Sequence, residues 1–467
     1  MGGILSAVLA GVWAEHGDRL AVSDRTRSLT YAELARCAEA FAREIPANAR
    51  VGILAANSSD YVVAHTGTIR AGSVPFLIDA AMGPAELDHI VESCALDLIV
   101  HDRPLPGAHG RAAGSTSGSF TITPVTAHRR TPLLGTTEVC RFTSGSTGFP
   151  NCIEFSGDAV LQAASNWASG TGLGGDDRVL CWAGLSNGLA FNTSLLAVFL
   201  TGASVHLATG LPTGSAVARA VTGVKATRLT GFPALYDSVA RRRPAPGTFA
   251  SVRVAVSSGA RLSPRTADVL RERHGLHVSD YYGIAETGPL TFGAERTAGL
   301  GRPLPGVDLR VAETGELLVR SASMGSRYHN APGVLEAKLD ADGRYRTGDL
   351  GHLSGGELVL TGRISAVLNV GGRKIDPHEV ARVLREVSGV DDAVVFGATK
   401  PGGDDMVVAV VAGRRGVTPA MLRAGCFDRL AAFKVPEHIH VVESLPRNSI
   451  GKVSLEAVRA LARAADR

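Results

Sequence analysis

The chain has few cysteines, and none of them pair in a telling way. Six occur in 467 residues (Cys37, Cys94, Cys140, Cys152, Cys181 and Cys426), with no C-x-x-C spacing and no H-E-x-x-H run. That argues against a disulfide framework and a structural zinc module; it predicts small buried thiols and fits a reducing cytoplasm. No uninterrupted apolar run approaches the roughly 18 residues a spanning helix needs, so no membrane partner is expected. An excess of one charge is also lacking. Lys+Arg number 48 against 44 Asp+Glu, a net +4, which gives no electrostatic reason for a nucleic-acid partner. The opening MGGILSAVLAGVWAEHGDRL has an apolar run with no basic leader before it, and reads as a first helix rather than a secretion signal. The histidines share no ligand spacing.

What is present is an ordinary globular composition, 45% hydrophobic and 20% charged, on a chain long enough for two or three domains. Helix-like and strand-like segments alternate early. LTYAELARCAEAFAREI follows a Thr30 cap, RVGILAA is strand-like, SDYVVAHTGTIRAG is helix-like, and SVPFLI, PAELDHIVESC and DLIVHD continue the alternation. Such βα alternation predicts a mostly parallel sheet covered by helices. Residues 103–135, rich in Gly, Pro, Ser and Thr, read as a loop or linker. DRVLCWA, SVHLAT, ATRLTG and VRVAVSSG are further short strands. From about residue 300 short strands with Gly turns read as antiparallel, and IDPHEVARVLREV opens a helix with Asp376 as N-cap, Pro377 at N1 and Glu379 at N3. The fold class is therefore α/β. A large N-terminal domain of mixed and parallel sheets covered by helices, residues 1–362, precedes a small mobile C-terminal α+β domain, residues 363–467.

Four local features can carry chemistry. Arg141-Phe-Thr-Ser-Gly-Ser-Thr-Gly-Phe-Pro150 follows the strand EVCRF, and its glycines and hydroxyls can cradle phosphate oxygens. It is not a Walker A loop, because no G-K-[ST] follows and the next segment, CIEF, is strand-like. Asp280-Tyr-Tyr-Gly-Ile-Ala-Glu-Thr-Gly288 follows a strand and offers an aromatic face at Tyr282 and a hard oxygen ligand at Glu286. Tyr345-Arg-Thr-Gly-Asp-Leu350 sets Asp349 after a tight turn. Leu445-Pro-Arg-Asn-Ser-Ile-Gly-Lys452 puts one lysine in a glycine-containing loop. Taken singly, each is also an ordinary turn.

The order and spacing of six stretches, RFTSGSTGFP, YYGIAE, GELLVRS, YRTGDL, GRISAVLNVGGRKIDPHEV and LPRNSIGK, resemble the adenylate-forming superfamily. It includes acyl- and aryl-CoA ligases, luciferases and the adenylation domains of peptide synthetases, and the resemblance spans nearly the whole chain. It implies that Thr143, Ser144, Gly145, Ser146, Thr147 and Gly148 hold the ATP β- and γ-phosphates. Gly259 and Ala260 would line the adenine edge, and Tyr282 with Gly283 would meet the adenine face. Glu286 would coordinate Mg²⁺, Asp349 would bind the ribose hydroxyls with Arg363 nearby, and Lys452 would bridge the carboxylate and the α-phosphate. The implied activity is ATP-dependent activation of a small carboxylic acid to an acyl-adenylate, then transfer to a thiol. CoA and a carrier protein's phosphopantetheine present the same arm to Gly371 and Gly372, so both stand as acceptors.

The sequence departs from the family pattern at three places. Asn151 stands where Lys usually follows the loop proline, Ala285 where Thr is usual, and Ser365-Ala366 where the hinge is usually acidic. The acid pocket implied by the resemblance draws on Asn187, Phe191, Asn192, Ser258 and Tyr281. No acidic residue lies between Gly184 and Ser204 to meet an ammonium, which disfavours an α-amino acid and favours an aromatic or other uncharged one.

Other readings compete. Gly170-Thr-Gly-Leu-Gly-Gly175 fits G-x-G-x-x-G, but a strand follows it where a dinucleotide fold needs a helix. Gly184-Leu-Ser186-Asn-Gly188 fits the nucleophile elbow of a serine hydrolase, with His206 or His274 as candidate bases. The same fold with an amine acceptor, or activating nitrite, is a third alternative.

Overall fold

The structure is a computed structural model, and it describes residues 3–105, 114–127, 130–143, 150–242, 244–259, 262–293, 299–364, 368–370, 373–399, 405–430, 432–447 and 453–465. Two large mixed sheets dominate. In one, the parallel strands Val278–Ile284, Val254–Ser257, Arg228–Gly231, Arg178–Cys181, Ser204–Leu207 and Leu20–Ser23 run side by side. Antiparallel strands flank them at both edges, Gly288–Gly293 and Arg302–Pro303 on one side and Ser28–Thr30 on the other. In the other, Thr137–Thr143, Val74–Ile78, Arg50–Leu54 and Leu98–His101 form the parallel centre.

Strand alternation explains the layering. Val179 and Cys181 enter a core shared with Val51, Ile53, Val139 and Phe155 of the second sheet and with Trp167 of the helix Gly157–Thr171, whereas Leu180 turns into a separate cluster with Val217, Tyr236 and Leu270. Helices thus fill the space between the sheets and also cover an outer face, which is why the strands read as continuous apolar runs. The helix Tyr31–Ala42 starts where expected: Thr30 Oγ1 accepts from the Glu33 N–H at 3.2 Å, and Glu33 Oε2 accepts from the Thr30 N–H at 2.8 Å.

A four-stranded antiparallel sheet of Val307–Val311, Glu316–Ser321, Tyr345–Ser354 and Glu357–Arg363 follows. The small C-terminal domain pairs Val390–Thr399 with Asp405–Gly413 antiparallel and adds His438–Val442 parallel, packed against the helix Pro377–Arg385. All six cysteines are free thiols, and five of them are buried.

Three expectations need correction. Residues 103–135 are not all loop: Ser115–Ser117 and Phe120–Pro124 form a hairpin that extends the second sheet through Leu98–His101. Phe120 and Ile122 are buried there, a period-2 signal hidden among small polar residues. Tyr282 and Gly283 lie within the strand Val278–Ile284 rather than after it, because the chain reverses through Gly288 (φ +76°) into Gly288–Gly293. Asp376 does cap its helix by accepting from the His378 N–H, but Glu379 turns outward to Lys434 Nζ at 2.6 Å instead of closing a capping box.

Candidate active site

Of the residues singled out from sequence, Thr143 and Arg363 end strands, Tyr282 and Asp349 lie within strands, and Glu286 lies between two strands. Thr143 ends its strand, and Ser144, Gly145, Ser146, Thr147 and Gly148 fall in the connection to Asn151–Ser156, outside the described residues, as do Ala260 and Lys452. The connection joins two antiparallel neighbours, with Asn151 opposite Thr143. Asn330 fixes its far end, accepting from the Cys152 N–H at 2.8 Å and donating to the Pro150 carbonyl at 2.9 Å.

Glu286 sits at the centre of one hydrogen-bonded group. Tyr328 donates its hydroxyl to Glu286 Oε1, Thr143 contacts the same tyrosine, and the Tyr345 hydroxyl reaches both Glu286 and Tyr328. Lys338 Nζ donates to the Tyr345 hydroxyl at 3.0 Å. Burial first, then the adjacent Glu286 charge, push both tyrosines well above their ordinary range, so they remain donors. The backbone around Glu286 is clamped as well: its carbonyl accepts from the Gly325 N–H at 2.7 Å, and the Thr287 carbonyl accepts from Ser323 Oγ at 2.7 Å. A carboxylate oxygen held among neutral hydroxyls beside the strand Thr137–Thr143 is a chemically suitable ligand for a hard cation such as Mg²⁺.

Tyr328 reaches this place through a strand of two residues, Arg327–Tyr328, paired with Ile153 and Glu154. Buried Glu154 secures it, accepting from His329 Nδ1 at 2.8 Å, Arg327 Nε at 2.8 Å, the Leu134 N–H at 2.9 Å and the Thr137 hydroxyl. Burial alone would raise the Glu154 pKa, but these four donors outweigh it and hold the carboxyl at about 2.

A second group surrounds Asp349. Its Oδ2 accepts from the Tyr282 hydroxyl at 2.6 Å and its Oδ1 from Arg363 Nε at 2.7 Å. No tight turn precedes Asp349, contrary to the sequence expectation: Gly348 lies inside the strand Tyr345–Ser354, where the pairing with Glu316–Ser321 shifts register, at φ +72°, and its N–H donates to buried Glu316 at 3.1 Å. Tyr282 is itself buried, pushed up by burial and then by Asp349. Its ring packs with Leu290, Leu317 and Leu358.

The expected acid-pocket residues behave unevenly. Phe191 and Asn192 lie buried on the helix Gly188–Ser194, and Ser258 is buried just past the strand Val254–Ser257, followed by Gly259 at φ +85°. Asn187 is occupied as that helix's N-cap, its Oδ1 accepting from the Leu189 N–H at 3.0 Å, a structural use the sequence reading did not foresee. Tyr281 packs edge-on against Trp167 at 5.4 Å with its hydroxyl against Gly283, so it belongs to the core as much as to a pocket. Asn57 pins the preceding loop, donating to the Ala183 carbonyl at 2.8 Å and accepting from the Leu185 N–H at 2.9 Å. In the rival elbow, Ser186 pairs with neither candidate base among the described residues. His206 instead bonds Ser23 at 2.9 Å, and His274 ends a distant helix.

Arg141 opens the run Arg141–Pro150, and the resemblance gives it no role. Only 4% of it is exposed, its Cζ lies 4.3 and 5.1 Å from the ring centres of Phe155 and Phe191, and Nη2 donates to the Ala285 carbonyl at 3.2 Å. Nε has no partner. Burial pulls its pKa down to about 10, against upward pulls from Tyr281 and Glu286. Burying an ion costs several kcal/mol after relaxation, and ring faces return about 2 kcal/mol. The signal that was available is one cation in the apolar strand EVCRF. Tyr328 and Lys338 were missed too, with no motif to mark them.

The AMP-binding enzyme model matches residues 9–329, and the AMP-binding enzyme C-terminal domain model matches 379–452. The chain belongs to the AMP-binding enzyme family. Among its family relatives, a methyl-dioxo-octahydroindenyl-propanoyl:CoA ligase of Mycobacterium tuberculosis is 30% identical over 333 residues, 68% of this chain and 65% of that one. The match thus spans just under two thirds of that relative's length. The feruloyl-CoA synthase of an Amycolatopsis species is 28% identical over 465 residues, covering 92% and 94%. The fold of this AMP-binding family member superposes on ATP-bound MatB from Rhodopseudomonas palustris with a TM-score of 0.83 at 21% identity, over 99% and 100% of the chains. No helix among the described residues is long and apolar enough to cross a membrane.

Proposed function

We propose that the chain is an ATP-dependent acid–thiol ligase that forms AMP. It joins a small, non-α-amino carboxylic acid, aromatic in the first instance, to AMP and then passes the acyl group to the thiol of CoA or of a carrier protein's pantetheine. The observation that carries this reading is the linkage of Thr143, Glu286, Tyr282, Asp349 and Arg363, which are far apart in sequence, into two hydrogen-bonded groups hung from one hairpin, 278–293. The relative named for feruloyl-CoA synthesis supports an aromatic acid and CoA as acceptor.

In this scheme an oxygen of the acid's carboxylate attacks the α-phosphorus, the bond to the β-phosphate oxygen breaks, and pyrophosphate leaves with the electron pair. The thiol sulfur then attacks the acyl carbon and AMP departs. Asp349 positions the ribose, and Thr143 with residues 144–148 holds the phosphates. Glu286 is the protein ligand for Mg²⁺, which when bound offsets triphosphate charge. Lys452 supplies a cation at the α-phosphate, where fixed donors are worth roughly 10²–10³ in rate each. The boundary falls between residues 362 and 363, so that rotation of 363–467 brings Lys452 in and withdraws it.

The test is pyrophosphate release from ATP across a panel of aromatic, aliphatic and amino acids, repeated with CoA, a pantetheinylated carrier, an amine or nitrite. Release with an aromatic acid and thioester formation on adding a thiol are expected. Activity without ATP, or none with any carboxylic acid while ATP still binds, would overturn the reading.

A further inference from the structure

Arg141 carries a charge that no carboxylate among the described residues pairs with. Among the described residues no carboxylate comes within ion-pair distance of it, one N–H group reaches a carbonyl, and Nε points at no acceptor. Aromatic faces attract a cation but accept no in-plane N–H bonds, so the flanking Phe155 and Phe191 fix the plane of the guanidinium and leave its Nε–H unsatisfied. An unpaired buried polar group asks for a partner from outside the chain.

The surroundings say which partner. Nη1 lies 2.9 Å from the point where a side chain at position 188 would begin, so Gly188 is the residue that lets the guanidinium lie there, and Asn192 Nδ2 is 4.0 Å from the same point. Gly188, Phe191 and Asn192 belong to the segment proposed above to hold the acid. Ala285, which accepts from Nη2, immediately precedes Glu286. Arg141 therefore stands between the acid segment and the reacting end of the site, where a carboxylic acid must bring its one negative charge.

We propose that Arg141 holds the substrate's carboxylate before activation, through the Nε–H that no described residue accepts. This rests on the ligase reading above. A guanidinium edge matches the two oxygens of a carboxylate geometrically as well as in charge. When a carboxylate oxygen bonds to the α-phosphorus and pyrophosphate leaves, the acid's own charge is consumed in the mixed anhydride. Arg141 then grips the acyl group less tightly than it gripped the free acid, which leaves the acyl carbon open to the thiol.

The experiment uses the full chain and an acid that drives pyrophosphate release. Arg141→Met keeps a stem of similar length between the two rings, Arg141→Lys keeps the charge, and Gly188→Ala drives a methyl group onto Nη1. The KM for the acid, the inhibition constant of its neutral primary amide and the KM for ATP are measured for each. Arg141→Met and Gly188→Ala should raise the acid KM about 10- to 100-fold, with the amide constant and the ATP KM within about threefold, and Arg141→Lys should recover part of the loss. A merely structural arginine predicts that acid, amide and ATP constants rise together, and that result overturns the proposal, as does an unchanged acid KM. If the wild-type protein releases pyrophosphate with an acid but Arg141→Met keeps the preference for acid over amide, only the role of Arg141 falls. If no acid drives release, the ligase reading falls and takes this one with it.

Discussion

Asp349 and Arg363 face each other across antiparallel strands, Oδ1 to Nε at 2.7 Å, while the other carboxylate oxygen accepts from Tyr282. The carboxylate is thereby oriented from two sides, by a group on a different sheet and by the last residue of its partner strand.

Replacing Asp349 with Asn removes the charge that both partners require. The KM for ATP should rise about 10- to 100-fold, the loss expected for hydrogen bonds to a charged group, and Tyr282→Phe should raise it less. Pyrophosphate release titrated with ATP at saturating acid measures both. An unaltered KM in Asp349→Asn removes Asp349 from the nucleotide site.

Glu286→Gln keeps the shape and loses the anionic oxygen that Tyr328 and Tyr345 surround. It should lower kcat about 10²–10³-fold and demand more Mg²⁺ for half-maximal rate. Tyr328→Phe should cost far less, because it leaves the carboxylate in place. Equal effects from the two variants would assign Glu286 a purely structural part.

Lys452→Ala should slow pyrophosphate release about 10²–10³-fold yet leave thioester formation from a supplied acyl-adenylate within a few-fold of wild type. Comparing the two half-reactions separates a cation used in adenylation from one needed to fold the C-terminal domain, which would depress both.

Glu154 makes a pH prediction. Its folded pKa of about 2 lies below the ordinary 4.5, so its contribution to stability is present above the ordinary value and disappears as pH falls from about 4.5 to 2. The shift corresponds to about 3 kcal/mol. Urea unfolding at pH 7 and pH 3 should show Glu154→Gln destabilised by about that much at pH 7, and by clearly less at pH 3. Equal destabilisation at both pH values would refute the assignment.

Gly301 adopts φ +79°, and a methyl group there would stand 2.0 Å from the Phe292 carbonyl carbon. Gly301→Ala should unfold the protein or lower its melting temperature severely, whereas Gly343→Ala, at φ +73° with open space around it, should cost only about 1–2 kcal/mol of backbone strain. Thermal melts of the pair give the comparison.

Local order was legible where the sequence states it locally. Thr30 with Glu33 announced a helix start, the βα alternation announced the parallel strands, and Thr143, Tyr282, Glu286, Asp349 and Arg363 stood in contiguous runs with recognisable spacing. What escaped notice is carried by distant pairing. Tyr328 reaches Glu286 only because Arg327–Tyr328 adds to Asn151–Ser156, and Glu154 meets His329 across a separation of 175 residues. No period or spacing encodes such a pairing. Arg141 was visible as an odd cation in an apolar strand, but the sequence gives neither its depth nor its missing counter-charge. The hairpin of Ser115–Ser117 and Phe120–Pro124 gives only a weak alternation in the sequence, because just two buried apolar side chains stand among serines and threonines.

The two-residue strand at Arg327–Tyr328 has a further consequence for biosynthesis. Leu20–Ser23 waits for Ser204–Leu207 before it gains its parallel neighbour, and the second sheet is not complete until residue 328 has left the ribosome. Apolar strands emerge long before their neighbours, a situation that favours aggregation of nascent chains. Yield in a foreign host should therefore respond to chaperone supply and translation speed more than to small changes in final stability.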